Sequence, residues 1–147
     1  MAPQSLRDLI VPGRFVKLWC PFTDPPKEKY LLVVAIEPFL IAFLVNSELT
    51  AFQKSREDLR ADHISFSGAF LHHPSQLDCS CAIHDFEIED VCAQIEADPK
   101  RVKILAPAPM IESVKIIVEA SLMIETGYKK IILRQLNTFY PAAGAPH

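Results

Sequence analysis

The chain reads as a mainly β protein with helices: a small, strongly curved antiparallel barrel of five or six short strands, with an amphipathic helix near the C-terminal end. Three observations carry this expectation. β-compatible apolar runs fill the first half, from Phe15 to Trp19, from Leu31 to Ile36 and from Phe39 to Val45. The breaks between them are rich in proline and polar residues, which interrupt a ladder. Helical spacing is confined to the later part, without the strand–helix alternation of a parallel sheet.

Taken in order, Ser5 to Ile10 reads as a short helix, and Pro12 and Gly13 mark the entry to a first strand. Pro21, Pro25 and Pro26 lie in a charged loop between that strand and the buried run Tyr30 to Ile36, and Trp19 beside the loop reads as a core anchor. Glu37 and Pro38 form a short turn into Phe39 to Val45, which implies an antiparallel pair. Thr50 to His63 is a polar connection or a short helical turn, and His63 to Phe66 adds a strand. From Leu77 to Ile83, Leu77, Cys79, Cys81 and Ile83 alternate with Asp78, Ser80 and Ala82, as expected of a strand with one buried face.

The C-terminal third turns helical. Ile88 to Ile95 has Val91, Cys92 and Ile95 at helical spacing, and Lys103 to Ala106 is a short strand candidate. The clearest helix runs from about Met110 to Thr126, closed by Gly127, with Ile111, Val114, Ile117, Val118 and Leu122 as its apolar stripe. Tyr128 to Leu136 fits a strand or a helix continuation, with the strand preferred. These elements define one domain over residues 1–136, and 137–147 reads as a flexible tail.

Composition narrows the class. In 147 residues, half of them apolar, there is material for one core, no membrane-length apolar run and no secretory leader pattern. The net charge of −3 gives no general attraction to nucleic acid, so phosphate binding requires a shaped site. Four cysteines without C-x-x-C spacing fit a reduced, cytoplasmic protein. A metal reading through Cys79, Cys81 and His72, His73 or His84 competes with the commoner one, that free cysteines are small buried hydrophobes.

The segments PGRFVKLWCPFTD, KEKYLLVVAI, FLVNS and LDCS, followed by the late helix, resemble the MazF/PemK-like toxin superfamily. The resemblance implies an SH3-like barrel, metal-independent cleavage of single-stranded RNA without a cofactor, a homodimer and an antitoxin-like partner. It assigns catalytic roles to Lys29, Ser47 and Asp78. Lys29 and Tyr30 stand where the family has an Arg-Pro pair, Ser47 near its threonine, and Asp78 at an acidic position with Gln76 in place of an arginine. Thr23, Asp24, Lys27, Tyr30, Asn46 and Gln76 become RNA-contact or loop candidates. Cleavage through the 2′-hydroxyl needs a base, an acid and a cation, roles open to Asp78, a histidine and Lys29. The competing reading is a non-catalytic protein-interaction module on the same barrel.

Overall fold

The computed structural model describes residues 5–46, 62–68 and 70–142. Strands β1 (Arg14–Cys20), β2 (Lys27–Ala35), β3 (Ile41–Asn46), β4 (His63–Phe66), β5 (Ser75–Ile83) and β6 (Val102–Leu105) form one sheet in the order β4-β5-β3-β2-β1-β6. All neighbouring pairs are antiparallel, as expected for a mainly β chain with helices. Helices α1 (Ile88–Ala97), α2 (Ala108–Ala120) and α3 (Thr126–Phe139) complete the fold, with 3-10 turns at Leu6–Leu9 and Pro99–Arg101. Among the described residues, no helix is long and apolar enough to cross a membrane. The polar connection expected from Thr50 lies outside the described residues, apart from Asp62 and His63.

Both faces of the sheet are apolar at its centre, which is why β2 reads as an unbroken run: Leu31 to Ala35 are all buried. Leu32 and Val34 join Phe15, Phe43 and Leu77 beneath Val114 and Val118 of α2 and Ile132 and Leu136 of α3. The intervening Leu31 and Val33 point the other way. They join Val16, Leu18 and Ala42 beneath Val91 and Ile95 of α1. Each such side chain contributes about 1.5–3 kcal/mol on full burial.

Four expectations are corrected. Tyr128 to Leu136 is helical, not a strand: Ile132 and Leu136, four apart, are the buried residues of α3. The preceding helix stops at Ala120 rather than Thr126, because the Ser121 hydroxyl accepts from the backbone N–H groups of Met123 (3.1 Å) and Ile124 (3.3 Å) and starts a turn. Gly127 therefore lies inside α3, which runs through Phe139 and so through the first three residues of the expected tail. Trp19 is 46% exposed and is no core anchor; on β1 that part is played by Phe15, Val16, Leu18 and Cys20.

The entry to β1 and the end of α3 meet at Gly13. Its φ of 97° is open to glycine and strained for other residues, and a Cβ there would overlap the Tyr140 ring. Its N–H donates to the Val33 carbonyl (2.7 Å) and its carbonyl accepts from Ala106 (2.7 Å), while the Tyr140 hydroxyl donates to the Ala106 carbonyl (2.9 Å). Gly13 thus ties β2, the exit of β6 and the end of α3 together.

Candidate functional site

The site follows from β2 changing character along its length. Positions 27, 29, 31 and 33 share one face, but Leu31 and Val33 are buried under α1 whereas Lys27 is exposed and Lys29 half-buried. Tyr30 pairs with Val45, so Lys29 falls opposite Asn46, the last residue of β3. Asn46 pairs with Gln76 of β5, and Gln76 with Ser65 of β4. A polar row thus crosses four strands. The Lys29 ammonium donates to Asn46 Oδ1 at 2.7 Å, and the Ser65 hydroxyl donates to Gln76 Oε1 at 2.9 Å.

The next row on the same face carries the acid. Leu44 pairs with Asp78, and Asp78 with His63. His63 Nε2 lies 3.6 Å from Asp78 Oδ1, with side chains only 3% and 16% exposed. Asp78 Oδ1 also accepts from the backbone N–H of Ser80 at 2.9 Å and from the Ser80 hydroxyl. His63 is the histidine that sequence spacing left unassigned among several. The cross-strand pairing of β4 with β5 selects it, and no local motif carries that signal.

Lys29 and Asp78 share the face without a direct bond between them. Two strand spacings and one row separate their backbones, about 12 Å. Burial first, then the neighbouring Lys27 charge, holds the Lys29 pKa below the usual lysine range, against the opposing pull of Cys20 and Asp78. Cys20 lies buried beside it, and burial pushes its thiol up to about 11. Asp62, adjoining His63, has its carboxyl pKa raised, first by burial, and its backbone carbonyl accepts from Cys79 N–H at 2.8 Å.

Ser47 lies outside the described residues. Lys29 was expected at the end of the loop but is the third residue of β2, paired with Leu18, because the ladder between β1 and β2 extends to Cys20 and Lys27. Thr23 organises the loop itself, its hydroxyl bonding to the carbonyls of Cys20 and Pro25, each at 2.9 Å, with Asp24 exposed beside it. Tyr30 points to the opposite face, where its ring packs on Phe70 with centroids 4.8 Å apart and Lys17 Nζ sits 5.4 Å from its centroid. Its ring therefore packs on the face opposite the Lys29–Asn46 bond.

The four cysteines are free: Cys20, Cys79 and Cys92 are buried and Cys81 is exposed. Among the described residues, no group of three or more His, Cys, Asp or Glu side chains could hold a metal ion. Cys79 and Cys81 part company because β5 is irregular: Ala42 pairs with Ile83 but Leu44 with Asp78, so β5 has extra residues between them and its alternation fails at Cys81. His84 is engaged elsewhere, stacked on Tyr128 with 3.1 Å between Nε2 and the tyrosine hydroxyl. Set beside family models, curated proteins and solved structures, the chain matches none of them.

Proposed function

We propose that the chain is a divergent MazF/PemK-like endoribonuclease on an SH3-like barrel, acting on single-stranded RNA without a metal. The observation that carries this is the shared face of Lys29 and the His63–Asp78 pair, which stand on either side of β3. An in-line displacement at phosphorus needs its base and its acid on opposite sides. His63 and Asp78, 3.6 Å apart, act together on one side and take the 2′-proton. The Lys29 ammonium, across β3, neutralises the charge gathering on phosphorus and gives a proton to the departing 5′-oxygen. Its lowered pKa eases that donation. The products are a 2′,3′-cyclic phosphate and a free 5′-hydroxyl. A homodimer and an antitoxin-like partner belong to the same reading.

Incubation of the purified chain with mixed-sequence RNA and a metal chelator tests it. Fragments ending in 2′,3′-cyclic phosphate are expected, and Lys29→Ala should slow their formation about 10²- to 10³-fold. Lys29→Arg keeps the charge but cannot give up a proton near neutral pH, so it should flatten the alkaline limb of the pH–rate profile. RNA left intact by the unsubstituted protein would sink the nuclease and favour the interaction module. That second reading has its own observation, since Lys29 is already bonded to a neighbouring side chain.

A further inference from the structure

β3 is described as far as Asn46, opposite Lys29, and in that register Lys27 and Glu28 overhang its described residues. Between this overhang and the segment carrying His72 and His73 lies a cleft of about 280 Å³, with Lys27, Glu28, Lys29, Tyr30, His72 and His73 among its walls. We propose that this cleft binds a phosphate monoester the size of one nucleotide.

Positive charge is in excess at the cleft. Among the described residues Lys27 makes no ion pair, and Lys29 is bonded to a neutral amide, with Asp78 acting on it only at a distance. Glu28, the one acid in the wall among the described residues, is held by Arg101 through two bonds of 2.7 Å, and its charge is matched outside the cleft. A chain of net charge −3 thus keeps two lysines facing one concavity. Lys27 also contributes to holding the Lys29 pKa down, a repulsion that a bound anion would relieve. His72 and His73 are exposed, and an imidazole offers an N–H donor in its neutral form as well as when charged.

Size and valence select the ligand. Pockets for drug-sized molecules run from about 300 Å³ upward, so this one suits a small ligand. Two lysines favour a monoester, which carries about −1.5 to −2 at neutral pH, over the single charge of a diester. Val45 and Leu71 supply apolar wall for a base or sugar. The site does not depend on the chain cutting RNA.

Isothermal titration of the full chain with adenosine 5′-monophosphate, inorganic phosphate and adenosine tests the site. The monophosphate and phosphate should bind and adenosine should not. Lys27→Ala and His73→Ala, each checked by thermal melting for retained fold, should bind the monophosphate about tenfold more weakly. Adenosine binding as tightly as its monophosphate, no binding of the monophosphate, or affinity unchanged in both variants would overturn the assignment. Monophosphate binding with RNA left intact would uphold this site while defeating the nuclease. RNA cleavage without monophosphate binding would do the reverse.

Discussion

The two faces of the sheet are built from the same strands and end differently. On the face covered by α2 and α3, β3 contributes Phe43 and Val45, and apolar packing continues to the strand's end. On the face beneath α1, Ala42 is buried and Leu44 only partly so, and Asn46 then begins the polar row. One alternating strand thus separates two tasks. Its inward positions on the helix-pair side hold the fold, and the positions between them lead from the second core to the polar row.

The largest expected effect tests that separation. Phe43→Ala, at a fully buried position, should cost about 3–5 kcal/mol in urea denaturation, whereas Leu44→Ala next to it should cost no more than about 2 kcal/mol. Equal losses would mean that the polar-row side is as tightly packed as the other, and the contrast would fall.

A somewhat smaller effect is expected at Gly13, where the entry to β1 meets the end of α3. Gly13→Ala should lose about 2–4 kcal/mol, part from the positive φ and part from displacing the Tyr140 ring. The double variant with Tyr140→Ala separates the parts: it should show a smaller penalty for Gly13→Ala than the Tyr140 background does. If the penalties are the same, backbone strain alone accounts for the glycine.

These positions also show what the sequence could and could not disclose. The strands around the loop, β4, α1 and the antiparallel β2–β3 pair were legible because their apolar spacing is local. α3 was misjudged because Ile131, Ile132 and Leu133 are adjacent, which resembles a strand, while the stripe that decides burial is Ile132 and Leu136. The helix stop was misplaced because a glycine drew attention and a serine hydroxyl did the capping. Lys29 and Asp78 were named from the chain alone, but their partners Asn46 and His63 depend on register between strands distant in sequence. Trp19 shows the limit of composition: a large aromatic beside a buried strand still lies half in solvent.

The smallest effect concerns the start of β2, where apolar packing gives way on both faces and an ion pair takes over. Arg101 holds Glu28 through both carboxylate oxygens and also donates to the Lys17 carbonyl at 2.9 Å, pinning β1 and β2 to the turn before β6. That hydrogen-bonded pairing lowers the Glu28 pKa from 4.5. A depressed carboxylate contributes stability that is present above its unfolded pKa and is lost as pH falls through the folded one. The coupling energy from a double-mutant cycle of Glu28→Gln and Arg101→Gln should therefore be about 0.5–1 kcal/mol at neutral pH, the pair being partly exposed. It should shrink toward zero well below pH 4.5, and urea melts of the four proteins at about pH 7 and about pH 3 measure both values. A coupling that survives acid would mean that Arg101 holds the neutral Glu28 carboxyl as well as the charged one, so that hydrogen bonding rather than charge ties this corner of the sheet.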